Sequence, residues 1–160
     1  MDKKEIIKKI NTGNLSLEDV DKKLQADKEV VIAAVKQDGR SLQYANKKLK
    51  ADKQVILEAI EQNGRALRYT DEKYKIEKEV VLIAVKQAGP ALRHAHKKLQ
   101  ADREVVLAAV KENGYALHFA DKKLQADKEI VLEAAEQDEE SLKYADKKLQ
   151  EEIAGADNKS

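Results

Sequence analysis

Three histidines, His94, His96 and His118, are the side chains of this 160-residue sequence best suited to bind a metal or act as a catalytic base. A metal site needs several such ligands converging on one point. His94 and His96 lie two residues apart, and on a helix such residues point about 200° away from each other. We interpret His94 as a substitute in a partly buried aromatic position, His96 as a helix cap and His118 as exposed. We predict no metal and no cofactor.

The carboxylates and glycines form no catalytic pattern. The Asp residues recur once per repeat unit at positions that suit helix capping, and the main glycines recur at the same interval rather than in a phosphate-binding loop. No Ser, Lys or Asp stands in a nucleophile context. We therefore predict that the chain is not an enzyme.

Lysine pairs recur through the sequence and could form a basic ladder along one edge of a stacked array. Ladders of lysine can follow a phosphate backbone. Neighbouring Asp ladders would neutralise much of the field, so we interpret the pairs as solvated surface and keep nucleic-acid binding as an alternative. The pairs are Lys22-Lys23, Lys47-Lys48, Lys97-Lys98, Lys122-Lys123 and Lys147-Lys148, with Lys73 alone beside Glu72.

A second group of polar and aromatic residues occupies positions that vary between repeats. Arg and Tyr are the residue types favoured at interface hot spots. We hypothesise that this group forms one partner-binding surface near the start of the second helices, for an acidic protein or peptide. A role in solubility alone stays open as the alternative. The residues are Arg40, Arg65, Arg68, Arg93, Tyr115 and His118.

These side chains are positioned by a 25-residue repeat. The segment Asp21–Glu29 (DKKLQADKE) recurs identically at Asp121–Glu129. A fixed period of this length is typical of stacked helical arrays. The units follow one another without insertion and are numbered one to six: 2–26, 27–51, 52–76, 77–101, 102–126 and 127–151.

The sequence pattern of each unit predicts two helices. An Asp such as Asp27 suits the N-cap, and a broad apolar face follows over about 11–12 residues. The first helix should end at a glycine such as Gly39, interpreted as a left-handed C-cap. A second apolar face, as in Leu42, Ala45 and Leu49, predicts either one segment of about ten residues or a short helix plus an extra turn.

One unit has too few apolar side chains to fold alone, so the units must stack. Lys8 and Lys9 in repeat one stand where repeats two and five have alanine, and Glu139 in repeat six stands where the inner repeats have glycine. These polar substitutions suggest capping ends. We predict an all-α protein, an α-solenoid of six 25-residue helix-turn-helix repeats with polar capping repeats at both ends. We expect a finished array, with one domain over 1–151, a rod or arc of roughly 50–60 Å and a short, frayed polar tail, 152–160.

Composition limits the remaining possibilities. Charged residues make up 38% of the chain, with 31 basic against 30 acidic, which argues against a dedicated nucleic-acid binder. There is no cysteine for disulfides, and no apolar stretch approaches the roughly 20 residues that span a bilayer. We expect a soluble, cytoplasmic monomer with no membrane association.

The repeat pattern D-K-E-V-V-L-x-A-V-K-x-N-G-x-A-L-x-Y-A-D-K-K-L resembles the family called domain of unknown function 4116. The segment Asp102–Leu124 (DREVVLAAVKENGYALHFADKKL) carries the resemblance best, and nearly the whole chain shares it. The resemblance implies tandem helical units and implies no activity or catalytic residue. The first repeat departs from the pattern, as a capping repeat would.

The predicted function is a non-catalytic protein–protein interaction scaffold. Two alternatives remain open: a nucleic-acid-associated helical repeat that uses the lysine pairs, and an architectural spacer.

Overall fold

The computed structural model describes residues 2–157, and all regular structure in that range is helical. Each repeat opens with an α-helix of nine or ten residues, called its first helix, and the first helices of successive repeats pack against each other. The prediction of an all-α repeat fold is confirmed. The first helices are Lys3–Asn11, Lys28–Gln37, Lys53–Gln62, Lys78–Gln87, Arg103–Glu112 and Lys128–Gln137.

The first helices begin at the repeated acidic residue. The Asp27 carboxylate accepts hydrogen bonds from the N–H groups of Glu29 and Val30 at 3.0 and 3.2 Å, which satisfies two unpaired donors of the first turn. Glu77 makes no such bond, since its longer side chain reaches Lys53 of the preceding repeat instead. Side-chain caps are also made by Asp2, Asp52, Asp102 and Asp127.

A six-residue 3₁₀ helix, called the second helix, follows the first helix in repeats two to six. A third helix completes each repeat. Of the two alternatives for the second half of the repeat, one ten-residue segment or a short helix plus an extra turn, the second therefore occurs. The second helices are Gly39–Tyr44, Gly64–Tyr69, Gly89–His94, Gly114–Phe119 and Glu139–Tyr144. The third helices are Leu24–Ala26, Leu49–Ala51, Glu72–Lys75, Lys97–Gln100, Lys122–Gln125 and Lys147–Asp157.

Repeat one has turns and bends at 12–23 where the other repeats have a second helix. Its first helix is terminated by Gly13, whose φ is +72°. The N–H groups of Gly13 and Asn14 donate to the carbonyls of Ile10 and Lys9, both at 2.9 Å, which is a Schellman motif. The left-handed glycine therefore occurs in repeat one. Within its repeat it lies one residue before the position of the recurring glycine.

The prediction that Gly39, Gly64, Gly89 and Gly114 are left-handed C-caps is wrong. None of them has a positive φ, and each begins a second helix. Glycine is needed there because the next repeat approaches closely. A β-carbon at Gly64 would lie 2.0 Å from the Ala84 carbonyl oxygen, and the other three meet an equivalent oxygen at 2.2–2.3 Å. At the corresponding Glu139 an exposed side chain fits, because within residues 2–157 no further first helix follows.

The core runs continuously along the array. Val30 and Val31 of the first helix and Leu42 of the second are fully buried, and the equivalent aliphatic residues of the later inner repeats are buried in the same way. Backbone hydrogen bonds also join successive repeats, as where the N–H of Asn46 donates to the Gln25 carbonyl at 3.0 Å. Each repeat is therefore stabilised by its neighbours, as a solenoid requires.

A line of ion pairs joins the N-terminal ends of the first helices. The basic residue that opens each first helix reaches the acidic residue 24 positions later. In five pairs that residue precedes the next first helix, and in the sixth it is Glu152, within the helix Lys147–Asp157. The Lys28–Asp52 pair, at 2.8 Å, is one example. The full set is Lys3–Asp27, Lys28–Asp52, Lys53–Glu77, Lys78–Asp102, Arg103–Asp127 and Lys128–Glu152.

These pairs predict how stability depends on pH. The Lys28 ammonium lowers the pKa of the Asp52 carboxyl below its ordinary 3.8, aided by the Val55 N–H, and Lys3 does the same for Asp27. A depressed folded-state pKa contributes stability that is present above pH 3.8 and is lost as pH falls through the folded value. We expect Asp52→Asn to lower the free energy of unfolding at pH 7 by a few tenths of a kcal/mol, up to about 1, and by progressively less as pH falls below 3.8.

Urea unfolding at several pH values measures this effect. Asparagine retains the capping oxygen, so the variant isolates the charge. The matched control is Asp71→Asn, because Asp71 caps a third helix and forms no ion pair with any residue of 2–157. A difference between wild type and Asp52→Asn that persisted unchanged at pH 2 would argue against the ion pair as its cause.

The predicted tail from 152 onward begins within a helix in the part that the structure describes. The helix Lys147–Asp157 continues through these residues. Ile153 packs against the core, and the Lys128 ammonium donates to the Glu152 carboxylate at 2.6 Å, so two contacts hold this helix to repeat six. Met1 and residues 158–160 lie outside the described part. None of the helices in 2–157 is long and apolar enough to cross a membrane.

Candidate functional site

The second helices of repeats two to five lie side by side, and their exposed face forms a groove of about 330 Å³, called here the arginine groove. Five of the six residues predicted to bind a partner line it, and the sixth, His118, stacks on Tyr115 with ring centroids 5.7 Å apart. The structure therefore brings the predicted residues together. The lining residues are Arg40, Arg65, Arg68, Tyr69, Pro90, Arg93, His94, Tyr115 and Phe119.

The geometry of the 3₁₀ helix explains why these side chains share a face. Residues three apart are eclipsed on such a helix. Arg65 and Arg68 therefore project together into solvent, while Ala66 and Leu67 between them are fully buried. The side chain of Asn63 starts this helix by accepting a hydrogen bond from the Arg65 N–H at 3.0 Å. The buried residues thus orient the arginines outward.

Three of the four arginines in this groove form no ion pair in the described range. Arg40 pairs with Asp38 at 2.9 Å. Arg65, Arg68 and Arg93 form no ion pair with any residue in the described range. By contrast, every basic residue that opens a first helix is paired. The groove also holds four of the five arginines in the sequence, so its positive charge is concentrated in one residue type.

Sequence reasoning did not include four residues of the groove: Tyr69, Pro90, His94 and Phe119. Tyr69, His94 and Phe119 occupy the recurring aromatic position, which suggested packing only. Pro90 occupies the same variable position as Arg40, Arg65 and Tyr115. The Arg68 guanidinium lies 5.5 Å from the centre of the Tyr69 ring. Each ring therefore forms part of the groove wall as well as part of the packing.

His94 is half-buried in the wall of the groove, as its aromatic position predicts. Burial lowers the pKa of its imidazole below the ordinary 6.5, and the charges of Arg93 and Arg68 lower it further. The ring is consequently neutral near pH 7. The positive charge of the groove at that pH comes from its arginines.

A second groove, of about 740 Å³, adjoins the first and is called the lysine groove. Arg93 and Phe119 line both grooves. One lysine of the recurring pairs lines it from each of repeats four to six, and Asp121 and Asp146 line it as well. Its lining residues are Arg93, Lys97, Gln100, His118, Phe119, Ala120, Asp121, Lys122, Gln125, Lys143, Tyr144, Ala145, Asp146, Lys147 and Gln150.

An aromatic cluster marks the boundary between the two grooves. Tyr115, which is 40% exposed, meets Phe119 and Tyr144 with ring centroids 5.2 and 5.4 Å apart. His118 lies 5.0 Å from Phe119 and 4.7 Å from Tyr144. Four rings from repeats five and six therefore form one surface next to the basic side chains.

The remaining histidine has a structural role. His96 accepts a hydrogen bond from the Lys98 N–H at its Nδ1, 3.2 Å away, in the way the equivalent aspartates cap their third helices. This is the cap predicted for it. Over the described range, no group of three or more His, Asp or Glu side chains is placed to hold a metal ion.

The fold and this face define the class of protein: an all-α tandem repeat whose second helices carry a basic and aromatic groove. The chain belongs to the family Domain of unknown function (DUF4116), whose profile matches residues 2–50, 52–100 and 102–150. Each match covers two 25-residue units, so the structural repeat is half of the family's unit. No curated protein and no solved structure matches the chain.

Proposed function

We propose that this helical-repeat protein is a non-catalytic scaffold that binds a protein or peptide partner through acidic side chains in the arginine groove. The observation that supports the proposal is that Arg65, Arg68 and Arg93 are gathered on one face without carboxylate partners from the described chain. An acidic partner would supply those carboxylates.

Arginine suits this role for geometric reasons. Its planar guanidinium can donate two parallel hydrogen bonds to one carboxylate, and it stacks on aromatic rings. Each exposed ion pair contributes only about 0.2–1 kcal/mol, so useful affinity needs several at once. The groove offers that number, together with Tyr115 as an exposed aromatic contact.

Nucleic-acid binding is the second candidate, and the lysine groove is the feature that favours it. Lys97, Lys122 and Lys147 line that groove beside the rings of Phe119 and Tyr144. Lysines that neutralise phosphates and rings that stack on bases are the usual elements of single-strand binding. Asp121 and Asp146 line the same groove, and the net charge of the chain is only +1, which weakens this candidate.

Fluorescence anisotropy separates the candidates. The probes are a labelled glutamate-rich peptide of about twelve residues, its glutamine counterpart and a single-stranded oligonucleotide of similar length. We expect the acidic peptide to bind, with an affinity that falls as salt rises, and the glutamine peptide to bind at least tenfold more weakly. Equal binding of the two peptides would refute the proposal. Tighter binding of the oligonucleotide would favour the second candidate, and no binding of any probe would favour an architectural spacer.

A further inference from the structure

One basic side chain from each of repeats three to six forms a line that crosses both grooves, called here the basic ladder. Its members occupy the same position in successive repeats and are all exposed: Arg68, Arg93, His118 and Lys143. Arg68 lines the arginine groove, Arg93 lines both grooves, and His118 and Lys143 line the lysine groove. The ladder therefore connects the two grooves into one path.

Each member of the basic ladder is followed by a ring. Arg68 lies 5.5 Å from the centre of the Tyr69 ring, and Lys143 lies 5.2 Å from that of Tyr144. His118 meets Phe119 at 5.0 Å. The same pair of features, a hydrogen-bond donor and an adjacent ring, thus recurs once per repeat along the path.

The spacing of the ladder follows from how the repeats stack. First helices of successive repeats pack directly against each other, and packed helices lie about 8–10 Å apart. A peptide in the extended polyproline II conformation advances about 3.1 Å per residue with three residues per turn, so every third side chain lies on one face. Three residues of extended chain therefore match one repeat.

From this spacing we infer that the partner segment is an extended acidic peptide with a carboxylate at every third residue, lying along the basic ladder. The inference rests on the proposed function and specifies the partner of the same site. Intervening side chains of the segment contact the rings. Arg68 and Arg93 contribute most, since neither forms an ion pair with any residue of 2–157, whereas Lys143 also bonds Glu140 at 3.1 Å.

The test compares labelled peptides of about twelve residues with identical composition, made of Glu, Ser and Gly, by fluorescence anisotropy at low salt. In one the glutamates stand at every third position, and in the other they are contiguous. We expect the spaced peptide to bind about five- to tenfold more tightly, because it can form two or more additional pairs at once. Arg68→Ala/Arg93→Ala should remove that preference, whereas the control Lys48→Ala/Lys98→Ala, outside both grooves, should keep it.

The outcomes separate the inference from the function on which it rests. Equal affinity of the two peptides, with both binding more tightly than a glutamine peptide, would overturn the spacing and leave the proposed function standing. Failure of both acidic peptides to outbind the glutamine peptide would overturn the proposed function itself. Tighter binding of a single-stranded oligonucleotide than of the spaced peptide would overturn the assignment of a peptide partner.

Discussion

Gly64→Ala is expected to lower the free energy of unfolding by about 3 kcal/mol or more, the upper part of the range for overpacking. The new β-carbon would lie 2.0 Å from the carbonyl oxygen of Ala84 and 3.0 Å from its carbonyl carbon. Both obstacles are backbone atoms of the next repeat's first helix, so no side-chain rotation relieves the clash. Repeats three and four must move apart, which exposes the core between them. Urea unfolding followed by circular dichroism measures the loss.

Two other positions provide controls for that variant. A β-carbon at Gly155, within the helix Lys147–Asp157, meets nothing within 4 Å, so Gly155→Ala should leave stability unchanged or raise it by up to about 1 kcal/mol. Glu139 occupies the glycine position in repeat six and is exposed, so Glu139→Ala should change stability by less than about 0.5 kcal/mol. A loss below about 1 kcal/mol for Gly64→Ala would contradict the close approach of the repeats.

The triple variant Arg65→Ala/Arg68→Ala/Arg93→Ala is expected to weaken binding of an acidic peptide by about ten- to a hundredfold. Three charge-assisted contacts are removed together, each contributing up to about 1 kcal/mol at an exposed site. The side chains are exposed and carry no ion pair among residues 2–157, so the fold should be retained. Anisotropy titration measures affinity, and urea unfolding confirms that stability has not changed.

The matched control removes three positive charges elsewhere. Lys23, Lys48 and Lys98 are exposed and line neither groove. Their triple alanine variant should bind the acidic peptide within about twofold of wild type, because long-range attraction between exposed charges is screened by salt. An equal loss in both triple variants would mean that net charge, not the arginine groove, governs binding.

The repeat and the gathering of the arginines on one face could be predicted from the sequence because both depend on local periodicity. The regular spacing of Asp27 and its equivalents marks the start of each first helix. Arg65 and Arg68 lie three apart, so they share a face on either an α- or a 3₁₀ helix. Their association with Arg93 then follows from the repeat alone. The prediction of a common surface therefore did not depend on knowing the type of the second helix.

The features that depend on contacts between repeats could not be predicted from the sequence of a single repeat. Glycine is equally suited to a left-handed turn and to a close approach, and only the position of Ala84 distinguishes the two at Gly64. The Lys28–Asp52 pair joins positions whose separation is one less than the period, so it becomes apparent only after the repeats are stacked. The same limit applies to the groove walls formed by Tyr69 and Phe119.

Mapping the binding surface by NMR tests the central claim, that the arginine groove is where this scaffold binds an acidic partner. The experiment titrates ¹⁵N-labelled protein with the glutamate-rich peptide and follows backbone amides and arginine Nε–H signals. We predict that the largest shifts occur in the second helices of repeats two to five, at Arg65, Arg68, Arg93 and Tyr115. Shifts confined to the first helices, or spread evenly over all exposed lysines, would contradict the claim.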